Sequence, residues 1–215
     1  MSDENLLEAE EKQLQSLLRS VVEETNKAIR AEFGESNFCI LASYAIQHVL
    51  RQLEFENVNL LRVICDVCPS KSEHGVVLGC NGNGLRRPKT PPGKWNGHLV
   101  TTVGTKWILD ATLDQVNDQI FRYTCDYDQF VKPLLGELSP EFWDNKAVFF
   151  NFDNKTSVRY NVFNRQVGFK NAPDARRSHW MPIAEKVLGL VVLMQDLLKS
   201  KSRKAVTGNE ERSIL

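Results

Sequence analysis

The sequence predicts an α+β fold, on three observations. Apolar-striped segments of helical length stand at both ends of the chain. Between them, from about Asn57 to Phe163, lies a series of short β-prone runs separated by Gly-, Pro- and Asn-containing turns. No repeat and no linker divides the chain, and helices followed by sheet followed by helix is an α+β order. Residues 1–198 are therefore expected to form one domain, and the charged, polar residues 199–215 to form a disordered tail.

Each element has its own local reason. Residues 4–31 place Leu7, Leu14, Leu18, Val21, Val22 and Ile29 near one helical face, with charges filling the rest. Gly34 interrupts that helix. A second helix, from about Phe38 to Leu53, has almost no polar face and should be buried, capped by Asn37 or Ser36. Leu60–Val67 and Val76–Cys80 read as strands, and residues 81–94, rich in Gly, Pro and basic side chains, as a loop. Leu99–Val103, a turn at Gly104 and Lys106–Asp110 make a hairpin. Residues 119–145 look mixed, with short helices around Asp128 and Phe142. Lys146–Asn151 and Ser157–Phe163, on either side of Asp153-Asn154, make another hairpin. Met181–Leu198 is the last helix, with Pro182 in its first turn.

Composition narrows the class. The chain has 215 residues, 42% hydrophobic and 25% charged, as soluble globular proteins do. Lys plus Arg and Asp plus Glu both number 27, so there is no basic excess to suggest nucleic-acid binding. No apolar run approaches the roughly 20 residues that span a bilayer, so no membrane partner is expected. The acidic N-terminus does not resemble a signal peptide. Five cysteines, an odd number, argue against a disulfide framework. The expectation is a cytoplasmic protein with reduced thiols.

Cys39, in NFCILASYAIQ, falls in the first turn of the buried helix. The N–H groups and partial positive charge of a helix N-terminus favour the thiolate, which is the nucleophilic form. Taken alone, Cys39 is as easily a small core residue. A nucleophile needs a base. His48 lies nine residues along the same helix, about 13 Å away on the other face. His74 and His179 sit near loop boundaries with no carboxylate at a suggestive spacing. His98 opens a strand directly after Gly97, and the next strand ends in Trp107-Ile108-Leu109-Asp110. If the hairpin bends about Gly104 with an odd-length loop, residues whose numbers sum to 208 lie opposite one another. His98 then faces Asp110 on the same side of the sheet, with Cβ atoms about 5 Å apart. Asp114 has the same parity and is the next candidate.

Cys39 at the start of a buried helix, Gly97-His98 on one strand and Trp107-Ile108-Leu109-Asp110-Ala111-Thr112 on the next resemble the transglutaminase-like group of papain-type cysteine enzymes. The resemblance covers roughly residues 30–120. It implies a papain/transglutaminase-like fold, in which the nucleophile begins a buried helix packed on an antiparallel sheet. It also implies a triad with Cys39 as nucleophile, His98 as base and Asp110 as the residue that orients the base. GESNF, before Cys39, lacks the Arg-Gly-Gly of arylamine acetyltransferases. No Trp precedes Cys39, so the indole that transglutaminases supply upstream is missing.

The chemistry expected is thiol-dependent acyl transfer, most simply hydrolysis of an amide bond in a peptide, protein or small amide substrate, as in a thiol protease. No cofactor is required. The Cys39 backbone N–H, Asn37 and Asn96 are candidate oxyanion donors. The sequence leaves the substrate, the acceptor and the oligomeric state open. Two other readings compete. One is the same fold without the chemistry, binding an acidic partner through Arg86, Arg87, Lys89 and Lys94, with the Lys199–Lys204 cluster a solvated tail. The other is a structural metal held by Cys65, Cys68, His74 and Cys80. Against it, Cys65 lies in a β-prone run, where residues three apart point to opposite faces.

Overall fold

The computed structural model describes residues 3–34, 38–69, 76–78, 97–117, 131–152, 156–162 and 175–210. Two helices come first: α1 (Asp3–Phe33) and α2 (Cys39–Gln52). The strands are β1 (Val58–Pro69), β2 (Val76–Leu78), β3 (His98–Val103), β4 (Trp107–Asp110), β5 (Leu134–Glu137), β6 (Ala147–Phe152) and β7 (Thr156–Val162). A 3-10 turn, Leu113–Gln115, follows β4, and a short helix α3 (Phe142–Asn145) precedes β6. Helix α4 (Arg177–Glu210) closes the described chain.

The seven strands form one antiparallel sheet in the order β5-β4-β3-β1-β7-β6, with β2 paired to β1 beside β3. Strand β1 organises it. Its first half pairs with β3, its second half with β2, and β7 runs along its other edge. The sheet curls into a nearly closed barrel. One face lines the barrel with Leu61, Val63, Val100, Ile108, Val148 and Tyr160. The other face, including Val58, Val103, Trp107 and Leu109, is covered by α1, α2 and α4. At β3 and β4 both faces are covered and every residue is buried, while the outer face of β6 and β7 is open to solvent at Phe149 and Arg159.

The curl shows where β5 and β6, the two ends of the strand order, meet. Gly136 of β5 and Phe150 of β6 lie on the barrel face, and a Cβ at Gly136 would fall 2.5 Å from the Phe150 ring. Glycine is required there by close approach, not by backbone angle.

Helix α2 is tied to β3 by a reciprocal pair: Ser43 Oγ donates to the Leu99 carbonyl at 2.8 Å, and Thr101 Oγ1 donates to the Ser43 carbonyl at 3.1 Å. Trp180 of α4 stacks on Tyr44 at 5.8 Å and lies 5.5 Å from His48. His48 is thus a packing residue, and His179 is exposed. Gly34 (φ 75°) ends α1, donating to the Arg30 carbonyl at 2.9 Å.

Four expectations need correction. The N-cap of α2 is Phe38, which has no side-chain hydrogen bond to offer, and Ser36 and Asn37 lie outside the described residues. Strand β5 was not anticipated, because four residues after Pro133 carry too little pattern to register; the helix expected near Asp128 lies outside the described residues. Helix α4 begins at Arg177, which puts Pro182 inside it rather than in its first turn. It also continues to Glu210, so residues 199–210 of the expected disordered tail are helical. No proline follows Pro182 to stop it, and the added turns begin with Lys199, Lys201, Arg203, Lys204 and Ala205, residue types that favour helix.

Gly136→Ala forces the Phe150 ring out of its place in the barrel. The expected cost is about 1–3 kcal/mol, read as a lower midpoint in chemical denaturation. An unchanged midpoint would show that the β5–β6 approach has slack.

Candidate active site

Three strands and one helix terminus converge at one end of the barrel. His98 is the first residue of β3 and Asp110 the last of β4. The two are only 1% and 2% exposed, and His98 Nε2 lies 2.6 Å from Asp110 Oδ2.

The hairpin that joins them has the expected odd loop, but its register differs. Thr101 pairs with Leu109, Thr102 with Ile108 and Val103 with Trp107, so opposing numbers sum to 210 and not to 208. The three-residue loop Gly104–Lys106 is centred on Thr105. Gly104 serves as its first residue in the left-handed region (φ 55°), where its N–H reaches the Asn57 carbonyl at 3.1 Å. An even sum preserves parity, so both side chains still point into the barrel. They meet as diagonal neighbours, which long side chains can bridge.

Asp110 is fully engaged. Its Oδ1 accepts from the Thr112 backbone N–H at 3.0 Å and the Thr112 hydroxyl at 3.4 Å. Its Oδ2 accepts from His98 and from the Tyr160 hydroxyl at 2.8 Å. A carboxylate with several donors can stay charged in a buried site. Asp114, the alternative candidate, is occupied elsewhere. It binds Arg30 at 2.8 and 2.5 Å and Asn26 at 3.0 Å. Asn26 also donates to the Ala111 carbonyl at 2.7 Å, so α1 clamps the segment that follows Asp110.

Cys39 is the first residue of α2 and 8% exposed. Its Sγ lies 4.0 Å from the Gly97 carbonyl oxygen, and the thiol is near enough to His98 to act on the charge of the ring. The approach differs from the expectation that Cys39 would come from the sheet face carrying His98 and Asp110. Helix α2 packs on the opposite face, over Leu99 and Thr101. Because Cys39 starts α2 and His98 starts β3, the sulfur reaches the ring around the end of the strand, past Gly97. With Nε2 turned to Asp110, Nδ1 is the ring nitrogen left for other partners; Gln115 Nε2 stands 3.3 Å from it.

The electrostatics follow from this packing. Burial disfavours a charged imidazole. The charge and hydrogen bond of Asp110, helped by the neighbouring Cys39, outweigh burial and push His98 from its ordinary 6.5 up to about 10. Burial first, then the Asp110 charge, push Tyr160 well above the usual phenol range. Tyr160 is therefore a donor throughout the neutral range.

Sequence reasoning missed Tyr160, Thr112 and Gln115. Thr112 stood inside the Asp-Ala-Thr motif. Tyr160 carries no local signal, because it reaches Asp110 from β7, three places away in the strand order. Of the candidate metal ligands, Cys65 is buried and Cys68 exposed on the same strand, so they face opposite ways and cannot share one ion; His74 and Cys80 lie outside the described residues. Among the described residues there is no cluster of three His, Cys, Asp or Glu able to hold a metal. Asn96, Arg86, Arg87, Lys89 and Lys94 also lie outside the described residues. No described helix is long and apolar enough to cross a membrane. No protein-family model, curated protein or solved structure matches this chain.

Two outcomes test the electrostatics. A folded-state His98 raised above its unfolded value adds stability that is full below about pH 6.5 and is lost as pH rises toward about 10. The stability gap between the native chain and Asp110→Asn should therefore narrow between pH 7 and 9 in denaturant titrations. A constant gap means that the imidazolium is not the resident form. Separately, overnight treatment with a strong chelator should leave the melting temperature unchanged, since losing a structural zinc normally unfolds the region it holds.

Proposed function

We propose that this chain is a thiol-dependent acyl-transfer enzyme of transglutaminase-like arrangement, most simply a hydrolase of peptide or amide bonds. The observation that carries the reading is the buried His98 ring, held by Asp110 through Nε2, with Cys39 beside it at the start of α2, near enough to act on its charge. A buried imidazole between a thiol and a carboxylate is the arrangement that nucleophilic catalysis by cysteine requires.

The steps follow from the atoms. The Cys39 proton resides on His98 Nδ1, and the thiolate attacks the substrate carbonyl carbon. The carbonyl π pair moves to oxygen and makes a tetrahedral oxyanion. That oxyanion collapses, the C–N bond breaks, and the leaving amine takes the proton from His98. A water then attacks the thioester as His98 accepts its proton; the C–S bond breaks and frees the carboxylic acid. Asp110 keeps the Nε2 proton in place throughout, so that Nδ1 does the transfers. The Cys39 backbone N–H at the start of α2 is a candidate oxyanion donor, and the Gln115 amide stands beside the reacting ring nitrogen. The antiparallel sheet, the buried helix begun by Cys39 and the Cys39, His98, Asp110 order support the assignment to this enzyme group.

The test is a panel of peptidyl and acyl electrophiles with mass mapping of the labelled cysteine. Cys39 should react near neutral pH ahead of Cys65, whose thiol is pushed up by burial, then by Asp110, and ahead of the exposed Cys68. Cys39→Ala should abolish labelling and turnover while changing stability by no more than about 1 kcal/mol. Asp110→Asn should slow the reaction by about two to four orders of magnitude in a chain that still folds. If Cys39 reacts no faster than Cys65, the chain is a non-catalytic binding module.

A further inference from the structure

Tyr160 on β7 and Cys65 on β1 are titratable groups with no part in the steps above. They are direct cross-strand partners, and both side chains lie in the barrel core. Both are fully buried, at 0% exposure. A tyrosine that merely filled the barrel could have been phenylalanine; here its hydroxyl lies 2.8 Å from the same carboxylate oxygen that holds His98.

We propose that Tyr160 is a positioning residue for the His98–Asp110 pair: it donates to Asp110 Oδ2 across the barrel, fixes the carboxylate toward the ring, and limits how strongly that oxygen draws the Nε2 proton. The inference rests on reading Cys39, His98 and Asp110 as a triad. A phenol has one proton, and a carboxylate acceptor fixes its direction. The phenol oxygen is then open to a donor, and the thiol of its cross-strand partner Cys65 is the neighbouring group that can serve as one. Burial keeps Cys65 in its thiol form and so able to donate. The polarity is thus set from end to end, from Cys65 S–H to Tyr160 O–H to Asp110 Oδ2, where the His98 Nε2–H arrives from the other side. Each donor strengthens the next along such a chain. The two Thr112 donors hold Oδ1, so Tyr160 is what balances Oδ2. Without it, Oδ2 would carry more negative charge and face His98 with a single donor. The shared proton would then sit closer to the carboxylate.

The experiment uses the full chain and reads the His98 Nε2–H proton resonance by NMR, together with the rate of Cys39 labelling by a peptidyl electrophile across pH. In Tyr160→Phe the resonance should move downfield and the labelling rate should fall about tenfold, the size of one hydrogen bond to a charged group. In Cys65→Val, which removes the S–H donor at similar volume, the resonance should move the same way by a smaller amount. That variant also decides the matter if Tyr160→Phe does not fold. An unmoved or upfield resonance in the folded variants, whatever happens to their melting temperatures, overturns the proposal. If native Cys39 fails to label, the triad reading is lost, while the resonance still reports whether Tyr160 tunes the pair.

Discussion

Asp110 is a carboxylate with 2% exposure, and a charge so removed from water demands donors on every side. Meeting that demand draws in much of the fold. His98 comes from the neighbouring strand, Thr112 from the turn that follows, and Tyr160 from β7 beyond β3 and β1. A flat sheet would keep β7 far from β4, since neighbouring strands stand about 4.8 Å apart. The hydroxyl reaches Oδ2 only because the sheet curls. The barrel and the buried carboxylate are therefore mutually dependent: the curl delivers a donor, and the donor makes the buried charge tolerable.

The sheet is also a partition. On one side α1, α2 and α4 cover an apolar face, and on the other the barrel encloses its own core. Cys39 and the His98–Asp110 pair come from opposite sides and meet only at the rim, where α2 and β3 both begin. The Ser43–Leu99 and Thr101–Ser43 hydrogen bonds set the height of α2 against β3, and so the height of the sulfur against the ring. A shift of α2 by one turn, about 5.4 Å, would separate them. Helix α1 acts on the other flank, where Arg30 and Asn26 hold Asp114 and the Ala111 carbonyl and anchor the chain just beyond Asp110. Each side of the site is thus braced by a different helix, and neither set of bracing hydrogen bonds involves the Cys39 sulfur or the His98 ring.

Much of this was written locally. The burial of α2 follows from its apolar composition, and the start of the helix at Cys39 follows from the interruption near Gly34. The pairing of His98 with Asp110 needed only the parity of an odd-length turn, which survives a shift of two residues in register. That is why an expected sum of 208 and an observed sum of 210 bring the same two side chains together.

What the sequence by itself determined is the set of quantities governed by local periodicity: the α+β order, the buried helix begun by Cys39, and the common face of His98 and Asp110. Tertiary structure alone decided the rest. The face on which α2 packs, the closure of β5 on β6 over Gly136, and the arrival of Tyr160 at Asp110 each join residues far apart in the chain. The physical reason is that periodicity fixes which way a side chain points relative to its own strand or helix. The partner it meets depends on how the sheet curls, and curl is a property of all seven strands together.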